Sequence, residues 1–164
     1  MKLINHSTLI LIFVLITFTG SFAAPIKIGT TVLEGKTTKG DEIRVEITAV
    51  NNPKENPYGT ENAWGTKKDG KKPKIIISSI KIIMNGEDCS PALSTYMDLA
   101  EPNEAELIIP DEIKIRLIIK GGQKKPSGYE AEIFYLGDIL ISKSVKDMRF
   151  PDAIREDIKY TSMY

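Results

Sequence analysis

The sequence predicts a mainly β protein, an antiparallel β-sandwich of seven or eight strands with one short helix. Apolar residues alternate with polar residues through most of the chain after residue 25, as in strands that bury one face. Turn-forming residues separate these stretches. Only one segment combines the capping residues and the apolar spacing of a helix. An α+β fold with a single antiparallel sheet is the alternative.

The clearest strands are 42–50 and 113–120, where isoleucine, valine or leucine fills almost every second position and charged residues lie between them. The segment 74–84 is apolar at both odd and even positions. This pattern predicts a central strand. Asn85-Gly86 then forms the turn that ends it.

A hairpin is predicted where strands 129–136 and 139–145 flank Gly137-Asp138. Two residues led by glycine suit a tight turn of the II′ type. A regular register from that turn fixes which side chains face each other across the hairpin. The predicted cross-strand pairs are Glu132 with Lys143 and Phe134 with Ile141.

The predicted helix runs from Pro91 to Ala100, with Ser90 as its N-cap and Pro102 after its end. The C-terminal stretch is predicted as a turn followed by a strand, with a helix as the alternative. Two weaker strands complete the fold: 26–34, which folds back through a turn at 38–41, and 105–109.

The first 23 residues have the layout of a secretory signal peptide. Lys2 precedes an apolar run from Leu9 to Phe18, and Ser21-Phe22-Ala23 supplies small residues at the −3 and −1 positions. We expect a cut after Ala23 and a single β-rich domain over residues 24–164 with a long polar loop at 51–73. An uncleaved membrane anchor is the alternative, although the apolar run is shorter than the roughly 20 residues that span a bilayer.

Histidine and cysteine limit the chemistry. The single histidine, His6, lies in the signal peptide, and Cys89 is the one cysteine. Triads built on an imidazole base and zinc sites built on histidine are therefore excluded from the mature chain. An internal disulfide is also excluded. We expect no cofactor and no metal, and any catalysis would depend on carboxylates, lysine, tyrosine, serine or the thiol.

A basic segment in the long loop is the candidate ligand site. Five lysines lie between residues 67 and 74, with two aromatic residues upstream. Basic residues beside aromatic ones can hold an anionic polymer. A solvated loop, with the tryptophan packed on the sheet, is the alternative. The candidate ligand-binding residues are Tyr58, Trp64, Lys67, Lys68, Lys71 and Lys72.

The segment from Asn85 to Ile113 contains eight acidic residues and no lysine or arginine. Carboxylates in loops can bind calcium, and an acidic surface that balances the basic loop is the alternative. Cys89 lies beside Glu87 and Asp88, which oppose thiolate formation, so we expect a structural thiol rather than a nucleophile.

The sequence predicts an exported, non-enzymatic binding or interaction module of the periplasm or the extracellular space. Without Lys2, acidic residues outnumber basic residues by one, which argues against nucleic acid as a partner. An envelope protein or an anionic polymer fits better, and no membrane span is expected after signal cleavage. The alternative function is a hydrolase of glycans that uses two carboxylates as acid and base.

Overall fold

The computed structural model describes residues 21–53, 63–66, 72–122, 128–150, 152 and 154–160. In these ranges the chain forms ten strands and one 3₁₀ turn. In chain order they are β1 (Ser21–Pro25), β2 (Gly29–Lys36), β3 (Glu42–Asn51), β4 (Ile75–Met84), β5 (Glu87–Asp88), the 3₁₀ turn (Leu93–Thr95), β6 (Pro102–Ile108), β7 (Lys114–Gly121), β8 (Tyr129–Leu136), β9 (Ile139–Asp147) and β10 (Ile154–Lys159).

The strands form two antiparallel sheets. The larger sheet has the order β1-β6-β7-β8-β9-β10 and the smaller has the order β2-β3-β4-β5. The buried apolar side chains of both sheets belong to one cluster, so the sheets pack face to face. The predicted fold class, a mainly β antiparallel sandwich, is confirmed.

The strand count exceeds the predicted seven or eight. Residues 26–28 connect β1 in one sheet to β2 in the other, so the strand predicted at 26–34 begins at Gly29. β1 itself includes residues that the sequence assigned to the signal peptide. β5 is a two-residue addition beside the end of β4. The C-terminal stretch forms β10, which confirms a strand rather than a helix there.

β4 lies between β3 and β5, which confirms the predicted central strand, but a β-bulge shifts its side-chain phase. Thr48 of β3 pairs with Ser79, but Ala49 pairs with Ile77, which leaves Ser78 as the extra residue. The Ser78 hydroxyl donates to the Thr48 carbonyl at 3.1 Å. Ile77 and Ile80, on opposite sides of the bulge, are therefore both buried. The core-facing side of β4 thus carries most of the isoleucines of this strand.

The helix predicted over Pro91–Ala100 is also wrong, since the structure has only the 3₁₀ turn there. Ser90 does not cap a helix: its hydroxyl accepts from the Ile82 backbone N–H of β4 at 3.0 Å. Leu99 and Ala100 form bridges to Trp64 and Ile76, so their backbone groups serve the sheets instead of a helix. Within the described ranges no helix is long and apolar enough to cross a membrane.

Candidate functional site

One end of the sandwich holds an open pocket of about 330 Å³. Three turns predicted from the sequence meet there: residues 38–41 between β2 and β3, Asn85-Gly86 after β4, and Gly137-Asp138 between β8 and β9. Their positive φ values, 94° at Gly40, 87° at Gly86 and 62° at Gly137, suit glycine. We call this cavity the end pocket.

The end pocket combines an apolar floor with an acidic rim. The side chains that face it from the core are those of Ile43, Met84, Cys89 and Ile115, and its carboxylates are Asp41, Glu87, Glu112 and Asp138. The volume is at the lower end of the roughly 300–1,000 Å³ that ligand pockets occupy. The site can hold one small group, and its charge favours a cation.

The acidic residues of the rim differ in how they are held. Asp41 accepts from Asn85 Nδ2 at 2.8 Å and from the Thr37 hydroxyl at 3.1 Å, and these bonds lower the pKa of its carboxyl. Glu112 forms an ion pair with Lys39 at 2.6 Å. The other two carboxylates, Glu87 and Asp138, form no ion pair with a residue that the structure describes.

The negative charge of the end pocket acts on the thiol of Cys89. Its side chain is half-buried, and its thiol lies 3.7 Å from the Glu87 carbonyl. Burial raises the pKa of the thiol, and the charges of Asp138, Glu87 and Asp88 raise it further. These surroundings match the expectation that Cys89 is not an activated nucleophile.

Exposed apolar side chains border the acidic rim. Ile113, Leu136 and Ile139 are 47%, 40% and 37% exposed, and we call them the tip patch. The Gly137 backbone N–H donates to the Ile113 carbonyl at 2.6 Å, so the β8–β9 turn lies against the start of β7. Each of the three residues adjoins a pocket-lining residue in the chain.

The sequence-predicted ligand residues lie elsewhere or outside the described ranges. Tyr58, Lys67, Lys68 and Lys71 are not among the described residues, and their role stays a prediction. Lys72 is exposed and precedes β4 at the end of that strand opposite the end pocket. Trp64 is half-buried against the core.

Trp64 belongs to a cluster with three charged side chains, which the sequence reasoning missed. Lys143 Nζ donates to both carboxylate oxygens of Asp98, at 2.7 and 2.6 Å, and to Glu156 at 3.2 Å. The other oxygen of Glu156 accepts from Trp64 Nε1 at 2.9 Å. The Lys143 side chain is 1% exposed. We call these four residues the ion cluster.

A second bulge puts Lys143 in the interior, so the predicted hairpin pairs are wrong. Tyr135 pairs with Leu140, whereas Phe134 pairs with Ser142, and Ile141 is the extra residue. The shift places Lys143 opposite the buried Ile133 instead of Glu132. The predicted two-residue turn itself is confirmed.

The ion cluster closes one side of the sandwich rather than forming a cleft. It joins β9 and β10 to residues 89–101, which connect β5 in the smaller sheet to β6 in the larger and which we call the crossing segment. Trp64 pairs with Leu99 of that segment and accepts at its carbonyl from the Ala100 N–H at 2.9 Å. Burial is the main reason that the pKa of the Asp98 carboxyl is raised. None of the four residues of the ion cluster lines the end pocket.

The acidic segment predicted as a possible calcium site is distributed over the molecule. Asp98 is in the ion cluster, Glu104 pairs with Lys120 at 3.3 Å, and Asp111 pairs with Lys114 at 2.9 Å. In the part of the chain that the structure describes, no group of three or more histidine, cysteine or acidic side chains is placed to hold a metal ion.

The end pocket residues had one signal in the sequence. Two of the three predicted turns contain an acidic residue, Asp41 and Asp138, and Glu87 directly follows the third. Their convergence depends on how the two sheets stack, which the periodicity does not specify.

Comparison with known proteins found no similar protein: no family model, no curated protein and no solved structure matches this chain.

Proposed function

We propose that the chain is an exported, non-enzymatic binding module that works in the periplasm or outside the cell. Support for export comes from the signal-peptide layout of its first 23 residues. Support for binding comes from the end pocket, which is the observation that carries the proposal. It is open, it has an apolar floor, and two of its carboxylates have no ion-pair partner among the described residues.

The chemistry of the end pocket favours a positively charged group carried on an apolar segment. The carboxylates Glu87 and Asp138 can pair with a lysine or arginine side chain. The tip patch can bury apolar neighbours of that side chain, because exposed apolar groups beside a pocket contribute binding energy when they are covered. A basic, partly apolar stretch of an envelope protein has both features.

The alternative, a glycan hydrolase, has less support. Such an enzyme needs one carboxyl group with a raised pKa as the acid and a second carboxylate across the cleft. In the end pocket, hydrogen bonds lower the pKa of Asp41. Glu112 is held in an ion pair with Lys39. The carboxyl group with a raised pKa, Asp98, is held by Lys143 in the ion cluster.

Backbone amide shifts in a nitrogen-15 NMR titration test the binding site. The probe is an acetylated, amidated Lys-Leu-Lys-Leu peptide, and a Glu-Leu-Glu-Leu peptide is the control ligand. We expect the basic peptide to shift the amides of Glu87, Cys89, Gly137 and Asp138, and the acidic peptide to leave them unchanged.

Paired variants sharpen the test. Replacing Glu87→Gln and Asp138→Asn together should abolish the shifts. Asp157→Asn, an exposed acidic position on β10 outside the pocket, is the matched control and should retain them. Equal shifts with both peptides, or shifts confined to other surfaces, would contradict the proposal.

A further inference from the structure

β1 contains the residues that the expected signal-peptide cut would remove. A cut after Ala23 leaves only Ala24 and Pro25 of this five-residue strand. The lost part pairs directly with β6, with Phe22 opposite Leu107 and Ala23 opposite Glu106. The expected cut therefore divides an element of the folded domain.

Phe22 covers the core at the edge of the larger sheet. It lies opposite Leu107, which is fully buried, and Ala24 on the same face of β1 packs against the core. A Cβ atom added to Gly35 of β2 would lie 3.5 Å from the Phe22 ring and 3.6 Å from Leu107 Cδ2. The Phe22 side chain is 38% exposed, and its ring covers part of the junction between β1, β2 and β6.

A chain that begins at Ala24 would lose this cover. The backbone of β6 from Glu106 to Ile108 would become an unpaired sheet edge, and such edges promote aggregation. Leu107 and the nearby Ile109, both buried, would face solvent where Phe22 had been. The pairing of β1 favours a cut that leaves Phe22 on the mature chain.

We propose that the signal peptide is cut between Ser21 and Phe22. Thr19-Gly20-Ser21 directly follows the apolar run and places small residues at the −3 and −1 positions, as the cleavage rule requires. The peptide bond after Ser21 is hydrolysed by water, and the new amino terminus begins β1 at Phe22. This inference rests on the proposed export of the chain.

The test is the intact mass of the exported protein when the full chain is expressed with its own leader in a bacterial host. We expect a mature chain of residues 22–164. A mature chain that begins at Ala24, or at any other residue, overturns the assigned cut while export stands. Recovery of the uncut chain alone overturns the proposed export and, with it, the cut.

Two full-chain variants test which bond is cleaved. Ser21→Leu places a bulky residue at the −1 position of the proposed site and also at the −3 position of the alternative site, whereas Ala23→Leu changes only the −1 position of the alternative site. Both side chains are exposed in β1, so neither change disturbs the core. We expect Ser21→Leu to block release of the 22–164 product and Ala23→Leu to leave it unchanged. Loss of the mature product in Ala23→Leu would refute the proposal.

Discussion

The ion cluster and the end pocket both bring carboxylates together, but they use them in opposite ways. In the ion cluster, Asp98 and Glu156 share an ammonium group that is 1% exposed. In the end pocket, Glu87 and Asp138 lie at an open rim and form no ion pair with a described residue. The carboxylates of the ion cluster are paired internally around a buried lysine and are part of the fold, whereas Glu87 and Asp138 at the open rim are available to a ligand.

The ion cluster and the end pocket also differ in where they lie in the fold. The ion cluster joins β9 and β10 to Trp64 and the crossing segment, where it closes a side of the sandwich. The end pocket lies where three turns meet and joins no strands. Changes in the ion cluster should therefore alter stability, and changes in the end pocket should alter binding.

The largest effect is expected for Lys143→Met, which leaves Asp98 and Glu156 without their counter-charge. Breaking a buried ion pair by removing one partner costs roughly 3–5 kcal/mol. Because the two carboxylates remain 30% and 29% exposed, we expect a loss of about 3 kcal/mol in the free energy of unfolding. Urea unfolding monitored by Trp64 fluorescence measures it.

Lys146→Met on the same strand is the matched control. Its ammonium lies 3.8 Å from Glu130 and its side chain is 38% exposed, so its removal should cost no more than about 1 kcal/mol. Equal losses for the two variants would show that the ion cluster does not contribute as proposed.

Gly65 and Gly86 have nearly equal φ angles but should differ in the stability that an alanine substitution costs. Gly65 follows Trp64 with φ +88°, and Gly86 in the end pocket turn has φ +87°. Gly86→Ala should cost about 1–2 kcal/mol, the ordinary penalty of a left-handed conformation. Gly65→Ala should cost about 1 kcal/mol more, because its Cβ would collide with the Ala100 carbonyl and lie 2.9 Å from the Tyr129 ring.

Thermal or urea unfolding of the two alanine variants measures this difference. If Gly86→Ala destabilises the protein as much as Gly65→Ala, the close contact between Gly65 and the Ala100 carbonyl does not contribute to stability.

The predictability of these regions differs for a physical reason. Local turn chemistry located the turns at Thr38–Asp41, Asn85-Gly86 and Gly137-Asp138, because glycine and asparagine tolerate positive φ. Alternation located most strands, but a bulge adds one residue without a signal in the period. The bulges at Ser78 and Ile141 therefore reversed the predicted faces of Ile77 and Lys143.

The failure of the predicted helix has a different cause. Ser90 and Pro91 are good helix starters, but Ser90 binds the exposed edge of β4 and Ala100 bridges to Ile76. Tertiary contacts override local preference when a segment can complete a sheet. The end pocket shares this limit, since its residues come from four separate stretches of the chain.

The two regions should also differ in the sign of their pH dependence. Burial raises the pKa of Asp98, so the folded state holds this proton more tightly than the unfolded state. Its contribution to the free energy of unfolding falls as the pH rises from the unfolded pKa through the folded pKa. Near the end pocket, hydrogen bonds from Lys114 and from the Ile113 and Lys114 amides lower the pKa of Asp111 to about 2.

The contribution of Asp111 is fully present above its unfolded pKa and is lost as the pH falls toward about 2. Carboxyl carbon NMR titration should place Asp98 above, and Asp111 below, the ordinary value of 3.8. Asp98→Asn and Asp111→Asn should remove the respective pH dependences from urea unfolding. Shifts in the same direction for both residues would contradict the distinction.

The smallest effect on stability is expected for Glu87→Gln combined with Asp138→Asn. Exposed substitutions usually change stability by no more than about 0.5 kcal/mol. Neither carboxylate has an ion-pair partner among the described residues to lose. Urea unfolding should give a midpoint close to that of the wild type, and a large loss would assign the rim a structural role.

If the end pocket is open and selects positive charge, chemical modification of Cys89 should depend on the charge of the reagent. Cys89 is the only cysteine of the chain, so thiol reagents report on this site alone. The measurement is the ratio of its reaction rates with a trimethylammonium and a sulfonate methanethiosulfonate, each divided by the rate with mercaptoethanol. We predict a ratio well above one that falls toward one in the Glu87→Gln and Asp138→Asn double variant and is unchanged in Asp157→Asn. A ratio near one in the wild-type protein, or one that the double variant leaves unchanged, would contradict the account.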